Sequence, residues 1–240
     1  MIINLWSTPR TGSVWYSIYL TKTTVNSKLI TEFFNPYHMN IYHTDDKHVS
    51  VNYHEYRSGL YYKNYYINNN ELKVEKVYSN RIRNVEEEEL YRIELFNKLP
   101  KNKTYILHNH VYPINQSIFN QLLNDPNSKN IFIYRKDRKQ QLSSYAVAYS
   151  TKLFAAWSSD KLDTTSLVED IDIGILENLV QRIKVWDNID KKNYTVLAYE
   201  DINFLKLDRA PVKQNVNAWN RLSDNMKNAI TNLLENWDNV

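Results

Sequence analysis

The chain has no cysteine, only three glycines and no long apolar run. Disulfide bonds and a thiol nucleophile are therefore excluded. No leader-like stretch is recognisable, and no run of apolar residues is long enough to span a membrane, so we expect a cytoplasmic protein without a membrane span. Charge is nearly balanced, since 30 Lys and Arg against 27 Asp and Glu give a net charge of +3. This excess is too small to indicate general nucleic-acid binding and leaves room for a local basic site.

The 240 residues are enough for one α/β domain with a sizeable core, and we expect a single domain over residues 1–240. Short apolar runs alternate with helical patterns, which predicts a parallel sheet with helices on both faces. The region at about 33–80 is rich in Tyr and His and is interpreted as an insertion. Its segments on either side of Asn68-Asn69-Asn70 predict a β-hairpin. Its histidines have the spacing of neither a helical pair nor a zinc finger, so no metal site is predicted.

The N-terminal segment is the first that points to a function. The apolar run IINLW leads through STPRTGS into a helical pattern, which predicts a buried strand, a tight loop and a helix. A helix start directs free N–H groups and a positive dipole end at one point, which suits a phosphate or a sulfate. Pro9 stiffens the turn, Gly12 allows close backbone approach and Arg10 supplies a charged fork. The loop is not a Walker A motif, because Ser13 and Val14 follow Gly12.

A second junction of this kind follows the apolar run at residues 131–134. Basic residues at a helix start oppose the macrodipole unless an anion compensates them. Because parallel strands end at one edge of a sheet, we expect the two junctions to face a common crevice. A solvated basic turn is the alternative interpretation. The polar residues concerned are Arg135, Lys136, Arg138 and Lys139, followed by Ser143 and Ser144.

Together the two segments resemble those of the sulfotransferases that use 3′-phosphoadenosine 5′-phosphosulfate (PAPS). STPRTGSVW is similar to their 5′-phosphosulfate loop, and YRKDRKQQLSS is similar to their 3′-phosphate site. The resemblance implies a P-loop-like nucleotide-binding fold and transfer of a sulfuryl group to a hydroxyl or amine. It also implies adenosine 3′,5′-bisphosphate (PAP) as the product, and no metal. Two shorter fragments fit in order, Glu32-Phe33-Phe34-Asn35-Pro36 of the bacterial trehalose-type enzymes and Tyr199-Glu200-Asp201 of the family's Tyr-Glu-Asp.

The resemblance also implies which residues hold the donor. The 3′-phosphate is assigned to Arg135 and one serine, which is Ser143 by the spacing of cytosolic enzymes and Ser144 by that of trehalose-type enzymes. Lys213 and Gln214 resemble a short Lys/Arg-Gln element of bacterial members, whereas the Arg-Lys-Gly loop of the cytosolic subgroup is missing. The phosphosulfate is assigned to the N-terminal loop, that is, to Pro9, Arg10, Thr11, Gly12, Ser13 and Val14.

Two residues compete for the role of the general base. Glu32 matches the catalytic glutamate of the bacterial subgroup and is favoured. His110 stands where cytosolic enzymes have Lys-Thr-His, with His108 in the place of the lysine near the sulfuryl group. A histidine titrates near neutrality without help, whereas a glutamate base needs its pKa raised by burial. Arg10 and the N–H groups after it are expected to stabilise the charge that develops during transfer.

The resemblance implies an acceptor that is a small molecule or a saccharide. Aromatic faces with hydroxyl rims suit sugars or phenols, so the Tyr-rich hairpin in the insertion at about 33–80 is a candidate acceptor surface, and a half-buried hairpin in which Tyr is favoured anyway is the alternative. A homodimer stays open, and the small net charge indicates no nucleic-acid partner. Two other functions stay open from the sequence. A P-loop-like nucleotide-dependent kinase would need Mg²⁺ and a nucleoside triphosphate, and the missing GK[ST] counts against it. A non-catalytic relative that binds an anion or a glycan is the other.

Overall fold

The computed structural model describes residues 1–31, 33–34, 43–44, 47–48, 62–77, 85–111, 116–151, 165–202 and 218–239. Within these ranges the chain alternates between strands and helices. The strands are β1 (Ile2–Ser7), β2 (Ser27–Thr31), β3 (His43–Thr44), β4 (Lys47–His48), β5 (Tyr62–Asn68), β6 (Glu71–Val77), β7 (Thr104–His110), β8 (Ser128–Tyr134) and β9 (Thr195–Ala198). The helices are α1 (Ser13–Thr23), α2 (Val85–Asn97), α3 (Gln116–Asn124), α4 (Arg138–Thr151), α5 (Ile173–Asp187) and α6 (Asp224–Glu235), with short 3₁₀ turns at Tyr199–Asp201, Ala218–Arg221 and Trp237–Asn239.

A five-stranded parallel sheet flanked by helices confirms the predicted α/β class. Its strand order is β2-β7-β1-β8-β9. The strands β1 and β7 and the central part of β8 are mostly buried, which explains why apolar residues predominate there, since a parallel sheet is covered on both faces. β2 was not predicted, because only Leu29 and Ile30 are apolar in its short run. It pairs in parallel with β7, from Ser27 opposite Thr104 to Thr31 opposite His108.

Chain contacts divide the molecule into two compact units, and the first comprises Met1–Trp6 and Tyr16–Ile131. Trp6 is fully buried there, with its ring edge-on to Phe119 at a centroid distance of 4.8 Å. The predicted hairpin is confirmed, because β5 and β6 pair in antiparallel register around Asn69 and Asn70. Both turn residues have positive φ, at 50° and 59°, as a type I′ turn requires.

The second unit comprises Ser7–Trp15 and Phe132–Val240. Its core lies among α4, α5 and α6, and α5 contributes Leu179, Ile183 and Trp186, which recur at helical spacing and are buried. Asp172 caps α5 by accepting a hydrogen bond from Gly174 N at 3.0 Å. The expectation of one domain over residues 1–240 stays a prediction. Of the helices in the described ranges, none is long and apolar enough to cross a membrane.

Candidate functional site

The loop between β1 and α1 has an irregular backbone. Arg10 has a φ of 63° and Gly12 a φ of 72°, so two residues of the loop occupy the left-handed region. For a residue with a side chain this conformation costs about 1–2 kcal/mol, and such strain persists only where the surroundings enforce it. Thr11 Oγ1 donates a hydrogen bond to the Thr8 carbonyl at 3.0 Å, which closes the loop on itself.

Gly12 lies directly against the ring of Tyr199, in the turn after β9. A Cβ atom at position 12 would lie 2.1 Å from Tyr199 Cε2, well inside van der Waals contact. The Arg135 guanidinium lies over the same ring, at 5.1 Å from its centroid. Only glycine satisfies both the positive φ and the close packing at this position. Tyr199 thus contacts the N-terminal loop and the second junction at the same time.

The two predicted junctions meet within the second unit. Arg135 Nη1 donates a hydrogen bond to the Arg10 carbonyl at 3.2 Å. Arg10 Nε in turn donates to Ser144 Oγ at 3.0 Å, on the second turn of α4. The structure therefore brings together three of the predicted site residues, one from the loop after β1 and two from the segment after β8.

Gln141 fastens the N-terminal loop to α4. Its side chain is fully buried, and Nε2 donates to Thr8 Oγ1 at 2.9 Å and to the Pro9 carbonyl at 2.7 Å. Its Oε1 accepts a hydrogen bond from Arg138 Nη1 at 3.1 Å. Gln141 was not among the site residues predicted from the sequence. Its position three residues before Ser144 on the same helix is the signal that could have identified it.

The two arginines form a region of concentrated positive charge. The pKa of Arg10 is lowered to about 10, chiefly because the guanidinium is removed from solvent and further because Arg135 is nearby. Tyr145 and Tyr199 act in the opposite direction. An anion placed between the two guanidinium groups would offset both unfavourable effects, so the arrangement favours a bound phosphate or sulfate.

Glu200 supplies a negative charge at the start of α4. Its carboxylate accepts hydrogen bonds from the backbone N–H groups of Lys136, at 3.0 Å, and Asp137, at 3.3 Å. Glu200 Oε1 also lies 3.6 Å from Arg135 Nε. The macrodipole at this helix start is thus compensated by the chain's own carboxylate. A ligand at the second junction would be bound by side chains rather than by these two N–H groups.

Two other basic residues of this junction pair with carboxylates of the second unit. Lys136 Nζ lies 2.7 Å from Asp201 Oδ1, and Arg138 Nη2 lies 2.6 Å from Asp187 Oδ1. Lys139 instead lies over an aromatic ring, since its Nζ is 3.6 Å from the ring centroid of Trp219. These pairs agree in part with the interpretation of the cluster as a solvated basic turn.

The two adjacent serines of α4 have different partners. Ser143 Oγ donates to the Lys139 carbonyl one turn earlier, at 2.7 Å, as serines within helices commonly do. Ser144 Oγ accepts the hydrogen bond from Arg10. Both residues are buried. Of the two serines that the spacing left open, Ser144 is the one in contact with an arginine of the opposite junction.

The predicted histidines lie in the first unit. His108 is buried and His110 is partly exposed, and their rings meet edge to face with centroids 5.2 Å apart. Between them Asn109 Oδ1 accepts a hydrogen bond from Phe34 N at 3.2 Å. Arg92 Nη1 donates to the Phe33 carbonyl. These contacts hold the end of β7 against the chain just after β2.

Three predicted residues, Glu32, Lys213 and Gln214, lie outside the described residues. Pro9 and Val14 are half-buried, and Thr11 and Ser13 are buried. Across the described ranges, no group of three acidic or histidine side chains is arranged to hold a metal ion. Comparison of the chain with protein-family models, curated proteins and solved structures gives no match.

Proposed function

We propose that the chain is a sulfotransferase that uses PAPS as its donor, with the P-loop-like fold of that family. The observation that carries the proposal is the meeting of two strand-to-helix junctions around Arg10, Arg135 and Ser144. A donor with an anionic group at the 5′ position and a second one at the 3′ position needs two such sites close together. The order β1-loop-α1 and β8-loop-α4 in a parallel sheet supports the same proposal.

Within this proposal the N-terminal loop binds the phosphosulfate. α1 begins at Ser13, so the amide groups of residues 11–14 lie at the positive end of its dipole. Arg135 and Ser144 bind the 3′-phosphate. The close packing of Tyr199 against Gly12 fixes the loop before a ligand arrives, which lowers the entropic cost of binding.

The reaction is an in-line displacement at sulfur. An acceptor oxygen or nitrogen forms a bond to sulfur as the bond between sulfur and the 5′-phosphate oxygen breaks. The acceptor loses its proton to a base, and PAP leaves with the electron pair. Negative charge grows on the leaving phosphate oxygen, where the loop amides act as fixed donors. The loss of one such donor costs about 3–4 kcal/mol in comparable oxyanion sites.

The general base of the proposed reaction is Glu32 or His110. A base at the acceptor contributes roughly 10²–10⁴ in rate. Replacing the true base by alanine therefore abolishes most turnover while PAP binding survives. Retention of full activity by both Glu32→Ala and His110→Ala would remove both assignments.

The first test is isothermal titration of the purified chain with PAP, with and without Mg²⁺. We expect binding that does not depend on the metal. Arg135→Ala should weaken PAP by about tenfold or more, because charge-assisted hydrogen bonds to a phosphate are lost. Lys136→Ala is the matched control, since it removes one positive charge from the same junction and its Nζ faces Asp201 instead.

The outcomes separate the three functions. Metal-independent PAP binding, followed by transfer from PAPS in an acceptor screen, supports the sulfotransferase. PAP binding without transfer to any phenol, sugar or amine points to a non-catalytic binding protein. A response to Mg²⁺-ATP alone points to a kinase. If neither nucleotide binds, the proposal is wrong.

A further inference from the structure

The side chain of Arg10 lies among the residues of the second junction, although its backbone belongs to the N-terminal loop. Its Nε donates to Ser144 Oγ at 3.0 Å, and its carbonyl accepts from Arg135 Nη1 at 3.2 Å. Tyr199 and Tyr145 raise the pKa of the Arg10 side chain, against the larger lowering by burial and by Arg135. These neighbours belong to β8-α4 and to the turn after β9. The Arg10 guanidinium is therefore located in the part of the site to which the 3′-phosphate is assigned.

Resting on the proposed function, we propose that Arg10 binds the 3′-phosphate of the donor together with Arg135 and Ser144. The 5′-phosphosulfate is then held by the amide groups at the start of α1. This assignment departs from the expectation, drawn from the sequence, that Arg10 stabilises the sulfuryl group. It makes Arg10 a specificity-determining residue that distinguishes nucleotides with a 3′-phosphate from those without one.

The charges around Arg10 give the physical reason for this specificity. Two guanidinium groups share the region, and Glu200 Oε1 lies 3.6 Å from Arg135 Nε. A 3′-phosphate carries close to two negative charges and accepts hydrogen bonds from two guanidinium forks at once. A nucleotide without this group, such as adenosine 5′-phosphosulfate or AMP, leaves the repulsion between the two arginines in place. The site should therefore bind such nucleotides more weakly than PAP.

The experiment compares three ligands on the wild-type chain and on Arg10→Ala. The ligands are PAP, adenosine 3′-monophosphate and adenosine 5′-monophosphate, measured by titration calorimetry, with ligand-detected NMR for the weaker ones. We expect Arg10→Ala to weaken both 3′-phosphorylated ligands by about tenfold or more, as the loss of a charged hydrogen bond predicts. The affinity for adenosine 5′-monophosphate should change by less than about threefold. Ser144→Ala should show the same pattern with a smaller loss, because a neutral donor is weaker.

Two control variants keep the outcomes distinct. Lys136→Ala should bind all three ligands within about twofold of wild type, since surface charges contribute little. Arg10→Gly removes the same guanidinium as Arg10→Ala, but glycine readily adopts the positive φ at this position. It therefore repeats the binding test without straining the loop backbone. If Arg10 variants weaken the 5′-monophosphate as much as PAP, Arg10 contacts the 5′ group and the inference is wrong. If the wild-type chain binds none of the three ligands, it is the proposed function that fails.

Discussion

Arg10 shows how a single residue can carry a cost for folding and a benefit for binding. Its φ of 63° is unfavourable for any residue with a Cβ, yet its carbonyl and its side chain each have a partner in the second junction. Such strain at a charged residue is more common at functional sites than elsewhere. If the strain is retained for binding, a residue that suits the backbone better should raise stability and lose affinity.

Comparison of Arg10→Gly with Arg10→Ala tests this trade-off. Both variants lose the guanidinium, so they should bind PAP equally weakly. They differ in the backbone, and we expect Arg10→Gly to be more stable than Arg10→Ala by about 1 kcal/mol, because glycine adopts the left-handed region freely. Urea unfolding followed by far-UV circular dichroism measures this difference.

A control pair of variants at a helical position shows the stability order of glycine and alanine that is expected where the backbone has a negative φ. Glu177 is exposed in α5, where glycine is the poorer residue. Glu177→Gly should be less stable than Glu177→Ala by about 1 kcal/mol, the reverse of the order at position 10. The same order at both positions would mean that the backbone at Arg10 is not strained.

At the scale of elements, the side chain of Asn130 links β8 to β1 and to α3 within the first unit. Asn130, near the start of β8, accepts hydrogen bonds at Oδ1 from Trp6 Nε1, at 2.8 Å, and from Asn4 Nδ2, at 3.2 Å, both in β1. Its Nδ2 donates to the carbonyls of Leu122 and Leu123 near the end of α3. This buried network therefore holds β1, the start of β8 and the end of α3 together within the first unit.

Asn130→Ala should lower the free energy of unfolding by about 3 kcal/mol, because it leaves an indole N–H and helix carbonyls buried without this partner. Denaturant unfolding of wild type and variant measures the loss. Asn124→Ala is the matched control, since Asn124 is exposed and donates to Asn120 O in its own helix. We expect the control to cost less than about 1 kcal/mol. Equal losses in the two variants would show that the network contributes little.

At the scale of the whole molecule, the sequence predicted the elements whose residues repeat with a clear period. The strands β1 and β8 were predicted because burial on both faces of a parallel sheet leaves a short apolar run in the sequence. β2 was missed, since an edge strand buries too few side chains to leave one. The contacts of the site were less predictable. The positive φ of Arg10 and the position of Glu200 at the start of α4 depend on residues far apart in the chain.

The same distinction applies to the choice between the two serines. Spacing alone left Ser143 and Ser144 equivalent, because family patterns differ by one residue. The structure separates them by their partners, since one bonds to its own helix and the other contacts Arg10. Long-range contacts of this kind leave no periodic signal in a single sequence.

The acid stability of the molecule should depend on Glu71, which anchors the β5-β6 hairpin. Its carboxylate lies 2.5 Å from Lys73 Nζ and 2.5 Å from Lys103 Nζ, just before β7. Hydrogen bonds from Lys103 and then Lys73 lower the pKa of Glu71 from 4.5 to about 2. Because the pKa is lowered in the folded state, the stabilisation is complete above pH 4.5 and is lost as the pH falls towards 2. The Glu71 side chain is only half-buried, so salt should weaken the effect.

Glu71→Gln should therefore be less stable than wild type at neutral pH, and the difference should shrink as the pH falls from 4.5 towards 2. Urea midpoints measured at several pH values, at low and high salt, follow this convergence. Glu94→Gln serves as the control, because Glu94 pairs with Lys98 on the exposed surface of α2 and its removal reports the general effect of losing one carboxylate. The loss of stability in Glu94→Gln is first subtracted at each pH. If the remaining stability difference between Glu71→Gln and wild type stays constant down to pH 2, the two lysines do not hold the carboxylate in its charged form.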